Sequence, residues 1–233
     1  MAINIFPGSI NNDSKGFTLI ELLIAMAITG IVAGAIFTAF QSQQKSYLIQ
    51  DQITEMQQNL RAAMDIMVRE IRMAGYDPYG NSGAGIVAAT GNSISFTLVS
   101  DNDTLDNDND TITDETGELK TITYSLYDAY GDNDTDIGRR IGAGVNAPVA
   151  ENIDNLEFYY TLKDATKTLA PAANVKNIRK VQITILAKTE HKDSKFSDTK
   201  TYTTPSGANW GPYNDGFRRR LLSTTVKCRN MGL

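Results

Sequence analysis

One carboxylate stands where a carboxylate is costly. Glu21 is the only charged residue between Phe17 and Phe40 in a chain of 233 residues. A charge in so apolar a span needs a partner, and such residues are functional candidates by default. Immediately before the span, Lys15-Gly16 forms a basic–small junction. Cleavage there would remove a hydrophilic leader, residues 1–16, and leave the apolar segment on the mature chain. Two aspartate-rich stretches offer a second kind of chemistry. The first carries Asp101, Asp103, Asp106, Asp108 and Asp110; the second carries Asp132, Asp134 and Asp136. Hard oxygen donors at alternating positions suit Ca²⁺, and these eight aspartates are the candidate ligands. Neither stretch is an EF-hand. The second has Ile137 where that loop needs glycine, and Ala143 where it needs glutamate. No cofactor is required by anything else in the chain.

Other reactive types are scarce. Cys228 and His191 are single residues of their kinds, which excludes an internal disulfide and the usual zinc sites. His191 lies in the polar run Thr189–Lys195 and reads as a solvated loop residue. Cys228 reads as a small buried hydrophobe. There is no nucleophile–base constellation and no phosphate-binding loop, so the chain reads as a non-enzyme. Arg218-Arg219-Arg220 would suit nucleic acid or acidic lipid. The net charge of −5 gives no general argument for a nucleic-acid partner, and none is expected. Trp210, in a Gly/Pro-rich loop, can either stack on a sugar or anchor its loop on a sheet.

These residues need positioning. Phe17 to Phe40, as a helix, reaches roughly 36 Å, enough to cross a hydrocarbon core of about 30 Å. Lys15 is the basic residue beside it, which puts the N-terminus in the cytoplasm and the remainder across the membrane. Gly30 and Gly34 form a small-xxx-small pair inside the span. Beyond Gln41 the residues turn polar, yet Ile49, Ile53, Met56, Leu60, Met64, Met67 and Ile71 recur at steps of three and four. That is one apolar stripe on a helix. The Gly75-Tyr76-Asp77-Pro78 stretch stops it. The spacing therefore predicts one helix from Phe17 to about Ala74, an apolar half (17–40) followed by an amphipathic half (41–74). Strands are expected in residues 86–89, 93–99, 121–127, 156–162, 178–187 and 221–228, where β-formers cluster. The first two flank Thr90-Gly91-Asn92 as a hairpin. One long helix followed by several strands gives an α+β fold, its β-rich domain spanning 75–233.

The segment Lys15-Gly16-Phe17-Thr18-Leu19-Ile20-Glu21-Leu22-Leu23-Ile24-Ala25 closely resembles the class III signal of type IV pilins and type II secretion pseudopilins. The resemblance implies a pilin-like fold, a long N-terminal helix packed on an antiparallel sheet. It implies cleavage after Gly16 by a prepilin peptidase, and N-methylation of Phe17. Glu21 matches the family's glutamate at the fifth mature position. There the carboxylate would meet the N-terminal ammonium of a neighbouring subunit and set register, because a displaced neighbour leaves it unpaired. The aspartate-rich loops, the strand around Tyr124 to Tyr127, residues 149–158 and the Arg229-Asn230 end are similar to PilW-type minor pilins. That implies a bacterial inner-membrane anchor, a periplasmic domain, and later a place in the pilus among other minor and major pilins. Two alternatives stand beside it: a J-type pseudopilin of a type II secretion system, and a calcium-dependent adhesin or binding module displayed on a pilin anchor.

Overall fold

The computed structural model describes residues 16–100, 118–132 and 134–232. The aspartate-rich stretch at 101–110 lies outside them. One long α-helix, α1, runs Leu19–Met73. Its span agrees with the expected one to within two residues at each end. The chain divides into two compact units between Leu48 and Ile49. The first holds the apolar part of α1, with Leu19, Ile20, Met26, Ile31, Ile36 and Phe37 all exposed. By length and composition, α1 can cross a membrane.

The second unit buries the stripe. Met56, Leu60, Ala63, Met64, Met67 and Ile71 are all buried, and Ile53 packs partly against the same core. At about 2 kcal/mol for each large apolar side chain removed from water, this stripe is enough to hold α1 on the sheets. The helix ends where Gly75 turns to φ +77. A side chain there would meet Met231 Sδ at 3.0 Å and the Asn230 carbonyl oxygen at 3.3 Å. The C-terminal tail thus packs on the helix end, and Asn230 Nδ2 donates to the Met73 carbonyl at 3.4 Å.

Among the described residues, eleven strands follow: β1 Ile86–Ala89, β2 Ser93–Val99, β3 Leu119–Tyr127, β4 Asp136–Ile141, β5 Ala147–Ala150, β6 Ile153–Leu162, β7 Lys167–Thr168, β8 Ile178–Lys188, β9 Tyr202–Thr203, β10 Asn209–Trp210 and β11 Arg219–Lys227. One sheet has the order β1-β2-β3-β4-β5 and another β11-β8-β6-β7, while β9 and β10 form a small pair. All pairings are antiparallel. Ile94, Phe96, Ile122, Tyr124 and Ile137 from the first sheet join Phe158, Tyr160, Val181, Ile183, Ile185 and Val226 from the second in one core with the helix stripe. The sheets are also stitched by polar bonds, Phe158 N–H to the Gly91 carbonyl at 2.7 Å and Tyr160 Oη to the Thr90 carbonyl at 2.8 Å.

Two features differ from the expected pattern. The second aspartate-rich stretch is not all loop, because β4 begins at Asp136. Ile137 is fully buried in the core, and the Tyr127 ring lies 2.7 Å from where a Gly138 side chain would begin. Residues 136–138 are therefore pinned as strand. The second sheet is also buried on both faces. Thr184 and Leu186 are fully buried on the face away from α1. Residues 189–218, the connection from β8 to β11, fold back over that face as a cap. Thr204 and Ser206 donate to Glu157 at 3.1 and 2.8 Å, and Asn155 donates to Tyr213 at 2.7 Å.

Candidate functional site

The start of α1 is built from three residues. Phe17 is 92% exposed, so nothing else in the described chain packs on it. Thr18 is the cap. Its N–H donates to Glu21 Oε2 at 2.9 Å and its hydroxyl to the same oxygen at 2.8 Å, while Glu21 N–H approaches Thr18 Oγ1 at 3.3 Å. This is a reciprocal capping box, in which residues three apart satisfy each other's orphan donors. Glu21 Oε1 carries no hydrogen bond among the described residues. The sequence signal for this cap is the Thr-x-x-Glu spacing of Thr18 and Glu21. Around this box, the exposed apolar side chains of α1 form a surface far beyond what a water-soluble chain leaves uncovered. Gly30 and Gly34 have nothing within 4 Å of an added Cβ, so any close approach there would come from outside this chain.

The second unit holds two ionic fasteners that no local pattern in the sequence announces. Arg139, on β4, donates Nε and a terminal nitrogen to Glu70 of α1 at 2.8 to 3.0 Å. Tyr124 Oη donates to the same carboxylate. Burial, and then the Glu70 carboxylate beside it, push the Tyr124 hydroxyl well above the ordinary tyrosine range. Charge-assisted, forked pairing of this kind fixes geometry as well as energy. It locks the last turns of α1 to the first sheet.

The second fastener is Arg219. Its side chain is 2% exposed. It pairs with Asp154, with Asp198 at 3.2 Å and with Asp215 at 2.8 Å, and its guanidinium stacks 3.8 Å over the Tyr213 ring. Burial opposes its charge, and the carboxylates of Asp215, Asp154 and Asp198 outweigh that burial. Arg218 pairs with Asp193 at 2.7 Å. Two of the three consecutive arginines are thus spent inside the chain, holding down the cap, and Arg220 is the exposed one. Tyr213 is committed to Arg219, and Trp210 is half-buried in the β9–β10 pair. His191 is exposed, and Cys228 is buried as a small hydrophobe.

Of the eight candidate calcium ligands, Asp132, Asp134 and Asp136 lie among the described residues. Asp136 is fully buried, with Oδ1 accepting the Asn152 N–H and Oδ2 the Ala129 N–H. Asp132 Oδ1 accepts the Asp134 N–H at 3.2 Å, an ordinary aspartate turn. Among the described residues, no three His, Cys, Asp or Glu side chains gather as a metal site. Asp136 thus spends both of its carboxylate oxygens on backbone donors.

Comparison with known proteins adds to this geometry. A family model described as the prokaryotic N-terminal methylation motif matches residues 11–37. A second, described as type IV pilus-assembly protein W, matches residues 111–230. No curated protein matches in sequence. Among solved structures, a type IV-like pilin from Thermus thermophilus is similar, with 16% identity and a TM-score of 0.52. The match covers 77% of this chain and 100% of that one. The fold is therefore pilin-like, one long N-terminal helix packed on antiparallel sheets.

Proposed function

The chain belongs to the type IV pilus-assembly protein W family, as a minor pilin of type IV pilus assembly, and from that premise we propose how its two ends of α1 are used. Prepilin peptidase cuts after Gly16, and the new amino terminus at Phe17 is methylated. Until assembly, the apolar half of α1 holds the chain in the inner membrane, with the N-terminus on the cytoplasmic side and the sheets on the periplasmic side. In the filament, the apolar halves of neighbouring pilins cover one another, and Glu21 pairs with the terminal ammonium of a neighbour. The protein works as a structural subunit, with other minor and major pilins as its partners.

The observation that carries this reading is the state of Glu21. It is the one charge of the apolar span, and Thr18 occupies only one of its oxygens. The capping box lowers the cost of holding a carboxylate there, and Oε1 is left to accept an ammonium. Pairing in a low-dielectric core gives little net energy, because desolvation offsets attraction. It penalises every register that leaves the carboxylate alone.

The test is Glu21→Ala in the full chain, followed by fractionation of cells into membranes and sheared pili. The variant is expected in the membrane at normal abundance and absent from the pilus fraction. Normal incorporation into pili would overturn the role given to Glu21.

A further inference from the structure

Among the described residues, the two larger sheets have four edges, and these are not alike. β1 has four residues and a register break at Ile86–Ala88. β5 has four, with Pro148 and an irregular pairing to β4. β7 has two. Shortness, bulges and proline keep an edge from pairing with another chain. β11 has none of these. Its nine residues pair with β8 in unbroken register and include no proline. Thr189 N–H donates to the Arg218 carbonyl and Cys228 N–H to the Arg179 carbonyl, so the even-numbered residues between them bond to β8. The N–H and C=O groups of Leu221, Ser223, Thr225 and Lys227 therefore point out of the sheet. No other described segment bonds to them.

The same edge carries uncompensated charge. Lys227 lies opposite Lys180, Lys180 opposite Thr161, and Thr161 opposite Lys167. That is one row across all four strands, and by alternation it lies on the face of Thr184, away from α1. Lys167, Lys180 and Lys227 are exposed, and none forms an ion pair among the described residues. Like charges directly opposite one another destabilise a sheet. The next row, Thr225, Gln182 and Tyr159, holds no acid, and residues 219–233 contain none. Near the other end of β11, on its opposite face, Arg220 is exposed and likewise unpaired among the described residues.

We propose that β11 accepts a fifth strand on this sheet, an extended segment of a partner protein that runs antiparallel to it. The segment carries one acidic residue opposite Lys227 and another opposite Arg220, seven positions away. An odd separation puts the two acids on opposite faces, as Lys227 and Arg220 are. Between them, its residues on the α1 side meet half-buried Leu222 and buried Val226 and are apolar. Those on the other side meet exposed Ser223 and Thr225 and are polar. Main-chain bonds supply the affinity of such a strand, and its side chains supply the selection. A second copy of the chain does not suit this edge through its own β11, because it brings the same cations and no acid. The edge lies within the second unit, so the proposal does not depend on processing at Gly16.

The test uses the full-length protein in detergent and the acetylated, amidated peptide Glu-Val-Thr-Val-Thr-Val-Thr-Glu, with binding read by fluorescence anisotropy and amide exchange. The peptide is expected to slow exchange at Ser223, Thr225 and Lys227, whereas Thr224 and Val226 are already protected by β8. Lys227→Glu should weaken binding by roughly two- to five-fold. Thr225→Pro removes an outward N–H that β8 does not use, and should weaken binding by at least about fivefold with the melting temperature unchanged. The same peptide N-methylated at its three threonines, whose amides face β11, should not bind the unaltered protein; this comparison holds even if Thr225→Pro lowers the melting temperature. Binding that survives N-methylation, no slowed amide in β11, or no binding at about 1 mM peptide would overturn the proposal. An oligothymidine DNA that binds as tightly as the peptide and responds equally to Lys227→Glu would assign the cations to nucleic acid and overturn it as well.

Discussion

Thr18 and Glu21 satisfy each other across the first turn of α1, with two bonds to a single carboxylate oxygen, at 2.9 and 2.8 Å. The residue that makes the apolar span expensive is therefore also the residue that starts the helix. Its two oxygens are unequal, one held by the chain and one open.

If that cap matters, its loss has a local signature. Thr18→Val removes the hydroxyl from the box and is expected to cost about 1 kcal/mol at the helix start. Amide exchange at Glu21 should speed by roughly fivefold in detergent-solubilised protein, with the rest of α1 unchanged. Thr18→Ser should behave as wild type. Equal exchange in all three would remove the cap from the account.

Glu70 is the next point of leverage. Glu70→Ala strands Arg139 and Tyr124 in a part-buried site and is expected to lower stability by about 2 to 3 kcal/mol. Tyr124→Phe removes only one donor and should cost about 1 kcal/mol. Because both act on the same carboxylate, the double variant should be less destabilised than the sum. Thermal melts of the four proteins provide the cycle, and strict additivity would show that the three groups do not act as one fastener.

Arg219 and Arg218 separate a buried role from a surface one. Arg219→Met leaves Asp154, Asp198 and Asp215 without their common cation, for an expected loss of about 3 to 5 kcal/mol. Limited proteolysis should then cut within 189–218 before any other part of the second unit. Arg218→Ala opens one half-exposed pair and should cost less than about 1 kcal/mol. Similar losses from both would contradict the view that Arg219 alone is the hub.

Much of this was readable beforehand, and the reasons for the rest are physical. The helix was legible because period and punctuation agree: the apolar span, the stripe from Ile53 to Ile71 and the stop at Gly75 all point one way. The long strands were legible because β6 and β8 carry dense runs of β-branched and aromatic residues. β4 was hidden, because Asp132, Asp134, Asp136 and Gly138 signal a turn while Ile137 alone signals a core strand. The cap was hidden as well. Its hold on the sheet comes from polar side chains far apart in sequence, such as Glu157 with Ser206, and no local pattern announces them. The arginines looked like a surface patch, since their acidic partners at 154, 193, 198 and 215 are brought together only by the fold.

A pH effect is expected at the loop before β4. Asp134 has its carboxyl pushed up to about 6, by burial first and then by the nearby Asp132 and Asp136. The folded chain holds that proton more tightly than the unfolded one. Stability is therefore lost as pH rises from the ordinary value of 3.8 to about 6. Asp134→Asn should raise the melting temperature at pH 7 and leave it nearly unchanged at pH 3.5. Because the group is partly solvated, the gain should stay under about 1 kcal/mol. A larger gain at the acid end would reverse the assignment.

The account turns on what happens at Gly16 and Phe17. Intact-mass and peptide mass spectrometry of the protein from membranes and pili measures it directly. The account predicts a chain that begins at Phe17 and carries one methyl group on its terminal nitrogen. A mature chain that still carries residues 1–16, or an unmethylated terminus at another position, would contradict it.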